Sequence, residues 1–313
     1  MNDPKQLKAV FRNSLLVSAS DPFFLVLHLA VLLLVALLGA IPGFTHGEHI
    51  RLLRDQSHAL IFMVGCLGIT FGLIRVVTDD IRRGAGPELR SRPVGPTVLL
   101  LGKWLGVCVA MGALYLSALL GYLWISEVAF RQGHLNSGSL TMFMVFVFGG
   151  LILAGWRHFA FGGSFPLAAN LILGGSILLG CGLRMMLGDI SHFDFPGLQC
   201  GLMLMLAMFI FAAIMLPIAV LADSAIVLTG GVIVFFFGLI SDYLVTSTLS
   251  GAIAGMVKAV LPNWQLFWVA DRIAEGASVP VAYLPSCLLQ VCLMLGLCLI
   301  PATMLYERLE VRQ

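Results

Sequence analysis

The sequence predicts an all-α polytopic membrane protein with six to eight transmembrane helices, and three observations carry that prediction. First, of 313 residues 59% are hydrophobic and 11% charged, with a mean hydropathy of +1.00. A soluble domain carries about 25% charged residues, so this chain holds more apolar surface than its own interior can hide. Second, the apolar residues fall in several runs long enough for a spanning helix, which needs roughly 20 residues. Third, the runs are unbroken, whereas strands of a transmembrane barrel alternate apolar and polar positions. The net charge of +2 singles out no partner, and no nucleic acid is expected.

Residues 4–20 form the first element. Leu7, Val10, Phe11 and Leu15 fall at helical spacing, with Lys5, Lys8, Arg12 and Asn13 elsewhere on the wheel. That pattern suits a helix lying in the membrane interface. No cleavable signal peptide is evident, because polar or amphipathic sequence precedes the first apolar run. Asp21-Pro22 ends this helix and starts the next, since proline is tolerated in a first turn. The first span covers 22–41 and contains His28, a residue usually packed neutral in such a helix. A polar loop is expected at 42–57. The second span covers 58–77, with Gly68 and Gly72 spaced for close helix contact.

A charged interruption at 78–106 follows. The third span covers 98–125, longer than a bilayer needs and therefore tilted or extended into water. Gly102 and Gly106 make a second small-residue pair, and Lys103 between them is expected to snorkel outward at the membrane interface. Shorter runs at 139–156 and 166–187 flank Arg157-His158 and a glycine-rich turn. The spans at 198–222 and 225–245 are joined by Asp223-Ser224, and Asp242 is expected near the interface. Residues 247–280 form an outer interfacial segment in which Trp264, Phe267 and Trp268 suit an aromatic belt at headgroup level. The last span covers 281–306. If the pair between 139 and 187 does not cross, six spans remain.

Lysine and arginine set the orientation. With eight spans and the N-terminus inside, the inner group is Lys5, Lys8, Arg12, Arg75, Arg82, Arg83, Arg90, Arg92, Lys103, Arg157, Arg308 and Arg312. The outer group is Arg51, Arg54, Arg131, Arg184, Lys258 and Arg272. The bias of 12 against 6 predicts both ends inside and residues 78–97 cytoplasmic.

Sites of chemistry are sparse. Gly102-Lys103 is followed by Trp104, and no glycine stands five residues before Gly102, so no P-loop binds ATP here. HExxH and GxSxG signatures are missing as well. Midplane charges are scarce, which weighs against an ion-driven carrier. That reading would need a functional His28 or Asp242. The seven cysteines lie almost all inside apolar runs without CxxC spacing and fit small apolar fillers. A metal role for Cys287, Cys292 and Cys298 is the weaker alternative. Asp189, His192 and Asp194 have the residue types of metal ligands, but no fourth ligand is nearby in sequence and the stretch reads as a surface loop. No cofactor or metal is expected in this chain.

The interruption itself is the strongest functional signal. Gly84, Gly86, Pro87 and Pro93 leave room only for a short helix around residues 88–92, lying across the membrane surface. It holds Asp79-Asp80, Arg82-Arg83-Gly84, Glu88-Leu89, Arg90, Arg92-Pro93-Val94, Thr97 and Leu101-Gly102-Lys103. In that order this stretch resembles the first cytoplasmic loop of ABC-2 type exporter permeases. The amphipathic start is similar to that family's elbow helix. Residues 261–276, LPNWQLFWVADRIAEG, resemble its outer segment before the final span, and Tyr306-Glu307-Arg308 its charged end. The resemblance covers both ends of the chain. It departs from the family in the extra pair at 139–187 and in Pro87, where the family favours a helix former.

The resemblance implies a single permease domain over 1–313 with no ATPase domain of its own. A separate cytoplasmic ABC ATPase subunit would hydrolyse ATP, and a second permease copy, identical or related, would complete the complex in the bacterial inner (plasma) membrane. It implies that Arg82, Arg83, Glu88, Leu89, Arg90, Arg92 and Pro93 form the coupling contact with the ATPase. Arg82 and Arg83 have the alternative of facing anionic lipid. A second implied reading is a non-transporting assembly or maturation factor, in which the same loop tethers a cytosolic partner.

Overall fold

The computed structural model describes residues 4–41, 49–82, 94–129, 135–248, 251, 255, 257–258, 261–276, 280 and 283–312. Among these, ten helices and no strands are present, and eight helices are long and apolar enough to cross a membrane. The protein is an all-α polytopic membrane protein. Its helices are α1 (Pro4–Ala19), α2 (Pro22–Ala40), α3 (His49–Arg82), α4 (Pro96–Val128) and α5 (Ser137–Phe161). They continue as α6 (Phe165–Leu187), α7 (Phe195–Leu221), α8 (Ser224–Thr248), α9 (Ala270–Ala274) and α10 (Tyr283–Arg312).

The caps follow the sequence. Asp21 accepts from Phe23 N ahead of Pro22, and Asp194 accepts from Gly197 N ahead of Pro196. In both cases a side-chain oxygen satisfies an orphan N–H, and proline stands in the first turn, where its missing donor costs nothing. The pair at residues 139–187 is present as two full-length candidate spans, α5 and α6. Their turn uses Gly162 and Gly163 at φ +71° and +93°, a left-handed region that favours glycine.

α4 is the axis of the bundle. It is apolar on all sides, as a helix enclosed by others must be. Of its most apolar window 72% is buried, against 22% for α8 and 17% for α10, which lie at the periphery. Glycines set its close contacts. Gly72 of α3 faces Val107 and Phe24, while Gly68 faces Met111. Gly102 and Gly106 face α1, where a β-carbon on Gly106 would meet the Leu15 backbone nitrogen at 2.8 Å and the Phe11 carbonyl oxygen at 3.0 Å. α1 therefore rests its Val10, Phe11, Ser14 and Leu15 side on α4 and leaves Lys5, Lys8 and Arg12 exposed.

Three expectations change. The polar stretch expected as a loop at 42–57 is helical from His49, so α3 runs 34 residues. Part of its polarity is enclosed: Arg54 and Ser57 are buried, and Arg54 is matched by Asp194. Trp264 and Phe267 do not belong to an outward aromatic belt. They are 2% and 0% exposed, and the Trp264 indole N–H donates to the Phe235 carbonyl at 2.9 Å across the space left by Gly238. An indole buried in the bundle needs that acceptor. Trp268 alone remains half-buried. Lys103 does not reach out to solvent: it is 5% exposed, because the half-exposed Asp80 offers it a carboxylate at 2.8 Å at the rim of the bundle.

Candidate functional site

The end of α3 sets up the site. Residues Ile74–Thr78 form a π-turn, closed by the Asp79 N–H on the Ile74 carbonyl. Such single-turn bulges redirect a helix and are frequent at functional sites. The Thr78 hydroxyl donates to the Ala219 carbonyl at 2.8 Å, fixing the turn to α7. The segment Asp79–Arg82 then carries the chain to residue 83, where the described residues break off until 94.

Three charged groups on this root, Arg75, Asp80 and Arg82, each reach a different neighbouring element. Arg75 lies 3.4 Å from Asp21, the cap of α2, and 3.3 Å from Asp79. Asp80 takes the Lys103 ammonium of α4 at 2.8 Å. Arg82 lies 3.7 Å from Asp223, in the turn between α7 and α8. The root is thus in contact with α2, α4 and the α7–α8 turn. Lys103 is 6% exposed and the other members are between 21% and 56% exposed, so these pairs lie at the rim of the bundle.

Of the residues expected to form the coupling contact, Arg82 is placed on this root. Arg83, Glu88, Leu89, Arg90, Arg92 and Pro93 lie outside the described residues. Lys103 joins the root from α4. Trp264, Phe267 and Trp268 lie at the opposite end and take no part in it.

The opposite end holds a polar layer that sequence reasoning missed. Arg54 of α3 grips Asp194 through two bonds, 2.7 and 2.8 Å. The Tyr122 hydroxyl of α4 donates to the same carboxylate, and the Ser126 hydroxyl accepts from the Asp194 backbone N–H at 2.9 Å. Burial pushes the Asp194 carboxyl up, but the Arg54 guanidinium and the Tyr122 hydroxyl outweigh it and hold the carboxyl below its usual value. His58 bridges the carbonyls of Arg54 and Gly197 at 2.6 and 2.7 Å. Beside this layer, Glu127 of α4 takes Arg184 of α6 at 2.8 Å, Asn136 at 2.6 Å and Ser139 of α5 at 2.5 Å. These two buried networks tie five spans together. The sequence signal that could have found them is the set of charges close to the ends of apolar runs, at Arg54, Glu127 and Arg184.

A third group sits within the spans. His28 meets Ser117 at 2.9 Å and Asn170 at 3.2 Å, and Asn170 donates to the Ala19 carbonyl at 3.1 Å. Both ring nitrogens of His28 have partners, so it ties α2, α4 and α6 together.

Among the described residues no group of three or more His, Cys, Asp or Glu side chains could hold a metal ion. Asp189 and His192 face each other at 3.9 Å, while Asp194 turns inward to Arg54. Cys287 and Cys298 are eleven residues apart on α10, about 16 Å along a helix. No protein-family model matches the chain, and no curated protein or solved structure matches it either.

Proposed function

We propose that this chain is the membrane-spanning permease subunit of an ATP-driven exporter of the ABC-2 type. A separate cytoplasmic ATPase supplies the hydrolysis, and a second permease copy completes the complex in the bacterial inner membrane. The observation that carries this reading is the wiring of the loop root. Arg75, Asp80 and Arg82 leave one short segment and engage three different elements, so a partner pulling on residues 83–93 acts on several spans at once. The ATPase docks on Arg82, Arg83, Glu88, Leu89, Arg90, Arg92 and Pro93, and ATP-driven closure of its dimer moves the root. The excess of inner lysine and arginine places this loop on the cytoplasmic side.

The test is a double change, Glu88→Ala with Arg92→Ala, in the complex reconstituted in lipid. The variant is expected to insert normally and to lose stimulation of the partner's ATPase activity. Unchanged copurification together with unchanged stimulated activity would sink the assignment. Copurification of a partner without any stimulated ATPase activity in the unaltered protein would instead support a tethering assembly factor.

A further inference from the structure

At the end of the molecule away from the loop root, eight residues line a cavity of about 250 Å³ that the reading above leaves without a role. Among them are Asp242 near the end of α8, Gln265, Leu266 and Trp268 of the returning segment, Arg272 of α9 and Tyr283, the first residue of α10. The segment is held there by its neighbours. Asn263 caps the turn at Trp264–Leu266, Trp264 and Phe267 plug into the bundle, and the Tyr283 hydroxyl donates to the Leu266 carbonyl at 2.5 Å. Gln265, Trp268 and Arg272 are left facing outward, exposed or half-buried.

On this lining Asp242 is ion-paired through one of its two oxygens only. Lys258 and Asn263 both donate to the same oxygen of Asp242, Oδ1, at 2.8 and 3.0 Å. Oδ2 keeps its acceptor sites, since an ionised carboxylate offers about four in all. Arg272 makes no ion pair among the described residues and does not pair with Asp242 across the cavity. A ligand that satisfies both carries a hydrogen-bonding cation and an anion within the one cavity that the two residues share. Trp268 and Tyr283 add aromatic rings of the kind that attract an ammonium group.

Depth identifies the source. Asp242 lies eighteen residues beyond Ser224, about 27 Å along α8. A hydrocarbon core is about 30 Å thick, so the cavity opens where the core gives way to headgroups. We propose that this cavity binds a zwitterionic phosphoethanolamine group, the headgroup of a phospholipid. Arg272 donates to its phosphate and Asp242 Oδ2 accepts from its ammonium. This site stands independently of the transport reading.

The test uses the purified full chain in nanodiscs, with retained lipid measured by native mass spectrometry. Phosphatidylethanolamine is expected to be held over phosphatidylcholine, which has no N–H to give Asp242, and over phosphatidylglycerol, which has no cation. Arg272→Gln, an exposed and fold-neutral change, is expected to reduce that retention about tenfold, the effect of losing a charge-assisted hydrogen bond. Displacement by soluble O-phosphoethanolamine would show that the headgroup alone is sufficient. A persisting preference without displacement would assign the site to the lipid only. Equal retention of the three lipids, or a preference that survives Arg272→Gln, would overturn the proposal.

Discussion

Arg54 and Asp194 show how a charge enters an apolar bundle without breaking it. Removing a charge from water costs several kcal/mol, and only a well-made partner offsets that. Here the partner is bidentate and carries a third donor in Tyr122. Asp194→Asn keeps the helix cap but leaves Arg54 buried and unmatched. It is expected to destabilise the fold by about 3–5 kcal/mol, read from thermal unfolding in detergent. Adding Arg54→Met should restore part of that loss, and a double variant worse than the single would refute the pairing account. The same carboxyl makes stability depend on pH. Its folded value is depressed, so its contribution is complete above the unfolded value of about 3.9 and is lost as pH falls through the lower folded value. The unaltered protein should therefore lose melting temperature in that acid range more steeply than Asp194→Asn. Sequence shows Asp194 as a polar residue before Phe-Pro-Gly, which is legible as a cap. Its partner stands 140 residues away, and no local pattern carries that distance.

The elements were more legible than their partners, because periodicity is local and contact is not. Unbroken apolar runs located the eight spans, with ends displaced mainly where polar residues were buried, as at the start of α3. The glycine pairs at 68/72 and 102/106 announced close contacts, and both make them. Nothing in the sequence said that the second pair receives α1. That contact is testable, because the atoms nearest to Gly106 are the Ser14 β-carbon and the α1 backbone at Leu15 and Phe11, none of which can rotate away. Gly106→Val is expected to lift α1 from α4 at a cost of about 1–3 kcal/mol and to increase trypsin cleavage after Lys5, Lys8 and Arg12. Gly155→Ala on α5 is the control. No atom lies within 4 Å of its added carbon, and it should be neutral or raise stability by up to about 1 kcal/mol. Equal cleavage in the two variants would argue against α1 as a docked element.

The whole molecule is held differently at its two ends, and this asymmetry favours motion at one of them. Away from the loop, Arg54–Asp194 and Arg184–Glu127 are enclosed, with side chains between 2% and 20% exposed. At the loop root, Arg75 is 49% exposed and the Arg82–Asp223 pair is 56% and 41% exposed. Exposed pairs contribute about 0–1 kcal/mol each and are screened by salt, while enclosed pairs are screened much less. On this difference we expect the root to loosen before the buried layer does. Raising ionic strength from about 0.15 M to 1 M shortens the screening length from about 8 Å to 3 Å. Hydrogen exchange should then accelerate at residues 74–82 and 219–224, the segments joined by Thr78–Ala219 and Arg82–Asp223. Amides at 122–128 and 194–200, beside the buried layer, should keep their rates. Acceleration of equal size at both ends would mean that the bundle loosens as one body. The root would then have no independent motion for a partner on the 83–93 loop to drive.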